Sequence, residues 1–158
     1  MMENVLFDVV FSFLATIAYV VLFNVPGKYY ISCGITGTVA WLVYKLSLVS
    51  FSAAAATFLA TLAAVFLSRM LTVRKKCPIT IFLMAGIIPL VPGAGIYYTV
   101  YYLVTNQLDL AVQKGLESVK VAFAIVLGIV FIVSIPREVF NIRYWKVRKW
   151  RKRLKNTK

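Results

Sequence analysis

The chain has 158 residues, of which 61% are hydrophobic and only 15% are charged, and its formal net charge is +13. A soluble domain is nearer to half apolar and a quarter charged, so this composition excludes an ordinary soluble protein. The sequence has no histidine and five acidic residues, and it contains no cluster with metal-ligand spacing. We therefore expect an all-α polytopic membrane protein that is not an enzyme and holds no metal or cofactor.

Five apolar runs approach the length of about 20 residues that crosses a hydrocarbon core about 30 Å thick. We predict that each forms one transmembrane helix, the fourth being interrupted. The first run follows acidic rather than basic residues, so we interpret it as a retained span and not as a signal peptide. The predicted spans are residues 4–23, 29–46, 51–68, 79–104 and 119–135.

The segments between the spans predict the turns and the orientation. Spans two and three are so close in sequence that they must form a tight hairpin, with Ser50 as the expected N-cap. Most Lys and Arg residues follow spans one, three and five, whereas Lys45, Lys114 and Lys120 lie near the opposite ends. Since cytosolic loops are enriched in basic residues, we predict an outside N-terminus and a cytosolic C-terminus. Because the basic residues lie between and after the apolar runs, we interpret them as topology signals and not as a nucleic-acid-binding surface.

The last segment, residues 136–158, is a separate basic tail after a membrane domain of residues 1–135. Its tryptophans, Trp145 and Trp150, lie among many cations. This pattern predicts an interfacial helix on the cytosolic side that binds anionic lipids. A docking site for a protein partner is the alternative interpretation.

Small residues recur at helical spacing in the second and third spans. Lipid provides no hydrophobic drive for helix association, so membrane helices pack through small residues that allow close approach. We therefore predict two packing faces. One consists of Ala53, Ala56, Ala60 and Ala64, and the other of Gly34, Thr36, Gly37 and Thr38.

The fourth span contains Pro89, Pro92, Gly93 and Gly95 near its middle. As one straight helix it would be about 39 Å long, more than the hydrocarbon thickness. Backbone freed by proline at this depth is tolerated only inside protein or beside a watery cavity. We predict a functional break whose second half begins around residues 93–96, where helix N–H groups suit a carboxylate. A packed proline kink is the alternative.

The stretch "IIPLVPGAGIYYTVYYLV" resembles the Pro-x-x-Pro-Gly-x-x-x-Tyr signature of the threonine/serine exporter family, in its form as a small separate membrane subunit. Three other segments are similar to family landmarks in the same order: "FNVPGKYY", "LSRMLTVRKKCPITIF" and "TNQLDLAVQKGLES". The resemblance extends to about residue 136. The matching positions are Pro89, Pro92, Gly93 and Tyr97 in the signature, Asn24 and Pro26 in the first loop, and Ser68 and Arg69 at the end of the third span.

The resemblance implies export of small amino acids or of a dicarboxylate such as succinate across a bacterial inner membrane. It also implies a proton-linked driving force and a separately encoded second membrane subunit. Asp8 is the only acidic residue within a predicted span, so it is the candidate for proton coupling, with an interfacial carboxylate as the alternative.

Our leading hypothesis is one subunit of a secondary transporter, working with a second subunit or as a homo-oligomer. The expected substrate-binding residues are Pro89, Pro92, Gly93, Gly95, Tyr97 and Tyr98. The alternative from another class is a non-transporting scaffold or lipid-binding subunit that uses the basic tail.

Overall fold

The computed structural model describes residues 2–135, with side chains from residue 6 onward, and in this range the regular structure is helical. The basic tail, with its predicted interfacial helix, lies outside the described residues. The six helices are α1 (Met2–Leu22), α2 (Tyr30–Ser47), α3 (Ala53–Lys75), α4 (Ile79–Ile87), α5 (Gly93–Val104) and α6 (Leu108–Val133), and short 3-10 turns cover Gly27–Tyr29 and Ile88–Leu90.

Two of these helices, α3 and α6, are long and apolar enough to cross a membrane. A third span results if Ile79–Leu90 and Gly93–Val104 are counted together, since they form one pair bent by 47°. The part of α1 with described side chains, Leu6–Leu22, is apolar but shorter than these spans. Within the described residues, the helices thus fit the predicted membrane class, while five spans and their orientation remain predictions.

The largest departure from the predicted boundaries is at the start of α6. This helix begins at Leu108 rather than at residue 119, because the polar stretch before it is an amphipathic helix and not a loop. Ala111 and Ser118 are buried two turns apart, while Lys114 and Glu117 are exposed and form an ion pair at 2.9 Å. The polar residues that suggested a loop therefore occupy the exposed side of the helix.

The turn between α2 and α3 also differs in detail from the prediction. Ser52, not Ser50, is the N-cap of α3, and its Oγ accepts a hydrogen bond from the Ala55 N–H at 3.4 Å. Ser50 lies in the preceding turn, where its N–H donates to the Ser47 carbonyl. At its other end α3 extends to Lys75, beyond the predicted end of the third span, and basic residues there suit a helix C-terminus.

The bundle packs around α3, whose predicted small-residue face is buried except at Ala53, which is partly buried. Ala56, Ala60 and Ala64 are fully buried between the neighbouring helices. A Cβ added to Gly86 of α4 would come within 2.9 Å of Ala64, and one added to Gly128 of α6 would come within 2.9 Å of Thr61. The backbones of α4 and α6 therefore lie directly on α3, as expected for helices that associate through small residues.

The second predicted face, on α2, is also confirmed, because Gly34, Thr36, Gly37 and Thr38 are all buried. A Cβ on Gly34 would collide with the Phe13 ring, and a Cβ on Gly37 would collide with Thr16. The Thr36 hydroxyl donates to the Ser32 carbonyl of its own helix at 2.8 Å. Because the hydroxyl finds its hydrogen-bond acceptor within its own helix, threonine can pack in an interior that contains little water.

Candidate functional site

The break between α4 and α5 is produced by its two prolines. Neither ring nitrogen can donate to a carbonyl one turn earlier, so the helix cannot continue through Pro89 or Pro92. Pro89 lies instead at the start of the Ile88–Leu90 turn, and Pro92 is the N-cap of α5 with ψ at 55°. The Gly93 N–H turns back to the Val91 carbonyl at 2.7 Å. The helix is therefore interrupted here and α5 begins at Gly93, while a functional break within one membrane span remains a prediction.

The first turn of α5 lies on the wall of a cavity of about 480 Å³, which we call the break cavity. The earliest N–H groups of a helix have no intrahelical acceptor, and here Ile96 is the residue whose N–H first reaches back, to the Pro92 carbonyl at 3.0 Å. The Gly93 N–H donates to the Val91 carbonyl, so the N–H groups of Ala94 and Gly95, together with the positive end of the helix dipole, create a site suited to an anion.

An ion pair from α6 forms another part of the break cavity wall. The Lys114 ammonium donates to the Glu117 carboxylate at 2.9 Å, and both residues line the cavity. The neighbouring Ser118 is buried, and its hydroxyl donates to the Lys114 carbonyl. Alongside the N-terminus of α5, the cavity thus presents one cation and one anion that pair with each other.

A second cavity, of about 300 Å³, lies between α1, α2 and the Ile88–Leu90 turn. We call it the Asp8 cavity, because that carboxylate is the acidic group on its wall. Asp8 accepts a hydrogen bond from the Lys45 ammonium at 2.9 Å, which connects α1 to the last turn of α2. The predicted proton-coupling residue is thus part of an ion pair with one-quarter of its side chain exposed (25%).

The two cavities lie next to each other at the break, and most of the predicted site residues line one or the other. Pro89 borders both cavities. Pro92, Gly93, Gly95 and Tyr98 line the break cavity.

Two of the predicted residues have other surroundings. Tyr97 is not on the wall of either cavity; it is 64% exposed and stacks on Tyr101 with ring centroids 6.4 Å apart. Gly95 lines the break cavity, but it also lets α5 approach α6, since an added Cβ would collide with the Ser118 hydroxyl. Gly93, in contrast, has open space at that position.

The first-loop positions, Asn24 and Pro26, terminate α1. Asn24 adopts a left-handed backbone conformation with φ at 56°. Its N–H donates to the Val21 carbonyl, and the Val25 N–H donates to the Val20 carbonyl. These are the two hydrogen bonds of a Schellman motif, which closes a helix C-terminus. Pro26 then precedes the Gly27–Tyr29 turn as its N-cap.

The positions at the end of the third predicted span, Ser68 and Arg69, lie within α3 and are both buried. The Ser68 hydroxyl donates to the Ala64 carbonyl at 2.7 Å. The Arg69 guanidinium donates to the carbonyls of Val133, at 2.7 Å, and Ile135. Arg69 therefore satisfies carbonyl groups that the end of α6 would otherwise leave unpaired, and its role here is to hold α6 against α3.

Sequence reasoning missed several residues that line the cavities. The sequence pattern assigned no role to Trp41 or Glu117, and it gave Lys45 and Lys114 a role only in the predicted orientation. The spacing of Lys114 and Glu117 places them one turn apart on a helix and could have indicated their ion pair. The pairing of Lys45 with Asp8 joins residues on different helices, so it carries no local sequence signal.

A family model described as "Threonine/Serine exporter, ThrE" matches residues 8–135. The matched range includes both cavities and the break. Comparisons with curated proteins and with solved structures give no match.

Proposed function

The chain belongs to the threonine/serine exporter family, and we propose that it is one subunit of a secondary transporter that exports threonine or serine. The substrate would bind in the break cavity, at the start of α5. This proposal rests mainly on one observation: the first turn of α5 lies on the wall of a cavity of about 480 Å³ that is also lined by the Lys114–Glu117 ion pair. Small-molecule sites typically have volumes of about 300–1,000 Å³.

The charges of the break cavity match those of a free amino acid. The α-carboxylate would accept hydrogen bonds from the N–H groups at the start of α5, as anions do at helix N-termini. The α-ammonium would bind Glu117, whose carboxylate is half exposed while it pairs with Lys114. The ammonium would therefore take the place of Lys114 beside Glu117, while the carboxylate lies at the positive end of the α5 dipole.

A dicarboxylate such as succinate fits these charges less well. One of its carboxylates could use the start of α5 and the other could bind Lys114. Glu117 would then face a carboxylate without the cation that neutralises it in the empty cavity, and like charges at close range repel. We therefore favour the amino acid and keep succinate as a test compound.

The proposed driving force is a proton gradient coupled through Asp8. Its carboxylate lies in the cavity that shares Pro89 with the break cavity, so a change in its charge would occur close to the proposed binding site. Lys45 neutralises the carboxylate when Asp8 is ionised. We propose that proton binding to Asp8 releases this contact between α1 and α2.

We further propose that the subunit works in a bacterial inner membrane with a second membrane subunit or a second copy of itself. The proposed arrangement is five spans with an outside N-terminus. The proposal of a second subunit is supported by the incomplete enclosure of the break cavity in the described part of the chain, where α5 contains no buried residue.

An efflux measurement tests the proposed function. Cells lacking related exporters would be loaded with labelled threonine, serine or succinate, with and without the chain, and with and without the membrane protein encoded beside it. We expect faster efflux of threonine and serine than of succinate. Efflux unchanged by the chain under every condition would contradict the proposal and favour a scaffold or lipid-binding subunit. A chain truncated after residue 139 is the matched control for the basic tail, and it should retain efflux.

A further inference from the structure

Trp41 lies between the two cavities. Trp41 borders the Asp8 cavity and also the break cavity, and among the residues that the structure describes only Pro89 does the same. Pro89 is fixed in the backbone of the Ile88–Leu90 turn. Trp41 is a half-buried side chain on α2, and its ring packs against Tyr44 with centroids 5.6 Å apart. The wall between the cavities therefore consists of one fixed ring and one side chain of substantial size.

The helices around this wall are too closely packed to shift easily. The backbone of α2 at Gly37 lies directly on Thr16 of α1, with no room for a Cβ. On the other side, Gly86 of α4 approaches Thr36 so closely that an added Cβ would be 3.0 Å from its methyl group. Since these contacts fix the spacing of the helices, the separation of the cavities depends on the Trp41 side chain.

From this arrangement we propose that Trp41 determines the largest solute that the break cavity accepts. The indole closes the break cavity towards the Asp8 cavity, so only amino acids with small side chains fit. A smaller residue at this position would join the two spaces and admit amino acids with bulky apolar side chains. The inference that the solute is an amino acid rests on the proposed function. The inference that Trp41 separates the two cavities does not.

The wall can be tested without any solute. In a chain carrying Cys33→Ala and Cys77→Ala, an Ala94→Cys substitution places one thiol in the lining of the break cavity. The alkylation rate of this thiol would be measured in the purified full chain with a small and a bulky maleimide. We expect Trp41→Ala to raise the bulky-to-small rate ratio and Trp41→Phe to raise it less.

Matched controls make this result specific to the wall. Leu42→Ala is also a large-to-small change on α2, but Leu42 borders neither cavity, so the ratio should not change. Ala15 lines the Asp8 cavity, so adding Ala15→Trp to Trp41→Ala should refill the joined space and lower the ratio again. Ala18→Trp, on the same helix but outside the lining, should not. A ratio that neither Trp41 variant changes would overturn the proposal.

Solute size is then tested by protection of the same thiol. With Trp41 present, threonine should slow alkylation and phenylalanine should not, whereas after Trp41→Ala phenylalanine should protect as well. We expect a change in relative protection of about tenfold or more, as for a methylene or two at a pocket wall. A reagent ratio that changes while threonine never protects would contradict the proposed function alone. If both Trp41 variants are still protected by threonine and not by phenylalanine, the proposed role of Trp41 in limiting solute size is contradicted.

Discussion

The Asp8 carboxylate lies 2.9 Å from the Lys45 ammonium, although the two residues belong to different helices. Both side chains retain exposure, 25% for Asp8 and 48% for Lys45. The contact joins α1 to the last turn of α2 beside a cavity that reaches the break. Asp8 therefore has two possible roles, which experiments can separate: it is either a proton carrier or one half of a structural ion pair.

The first prediction separates these roles by exchanging the charges. Asp8→Asn and Lys45→Met should each reduce efflux, because each removes one partner of the pair. If Asp8 carries the proton, the exchange Asp8→Lys with Lys45→Asp should fail to restore efflux, since the carboxylate then sits on another helix. Efflux would be measured over a range of pH. Recovery in the exchanged variant, with the pH dependence of the unaltered protein, would show that the pair is only structural.

The second prediction compares two glycines of the same helix turn. Gly93→Ala should leave the stability unchanged, because an added Cβ meets nothing within 4 Å. Gly95→Ala should lower the free energy of unfolding by about 1–3 kcal/mol, as overpacking typically does, because its Cβ would collide with the Ser118 hydroxyl. Adding Ser118→Ala should restore much of the loss, as unfolding in mild detergent would show. Equal effects of the two alanines would contradict this packing.

The third prediction concerns the end of α6. Arg69→Leu should lower the free energy of unfolding by about 1.5–3 kcal/mol, the range for a hydrogen bond to a charged group, because the Val133 and Ile135 carbonyls lose their donor. Arg69→Lys should recover only part of this, since an ammonium lacks the planar fork of a guanidinium. Thermal unfolding of the purified chain measures both. A lysine variant as stable as the unaltered chain would contradict the stabilising role of the two guanidinium hydrogen bonds.

The fourth prediction concerns the left-handed residue that ends α1. Asn24→Gly should be neutral or stabilising, because glycine adopts a positive φ without steric cost. Asn24→Val should destabilise the chain by about 1–2 kcal/mol, the cost of a left-handed backbone for a residue with a Cβ, since φ at this position is 56°. Thermal unfolding of the two variants side by side provides the comparison. A valine variant as stable as the glycine variant would show that the backbone here is not constrained.

Much of the fold could be predicted because its signals are local. Proline and glycine in an apolar run predicted the break, and α5 does begin at Gly93. The spacing of Ala56, Ala60 and Ala64 predicted a face that proves to be buried. Both features follow from backbone chemistry and from the need of membrane helices for close approach.

The features that sequence reasoning missed depend on contacts between distant segments. Hydropathy alone placed the start of the last span at residue 119, because it did not recognise that Lys114 and Glu117 lie on the exposed side of α6. Trp41 has no sequence pattern that marks it, and only the packing of α2 against α1 and α4 places it between two cavities. The division of the site into two cavities is therefore a tertiary property.

The most direct test of the central claim is efflux by a chain carrying both Pro92→Leu and Gly93→Leu. These changes fill the start of α5 and remove the proline that caps it, so the N–H groups proposed to bind the substrate can donate to carbonyls of the preceding turn instead. Val104→Leu, at the far end of α5 and outside both cavity linings, is the control. We predict that the double variant inserts into the membrane at the normal level but exports no threonine, while the control exports normally. Threonine efflux at the unaltered rate from the double variant would contradict the account.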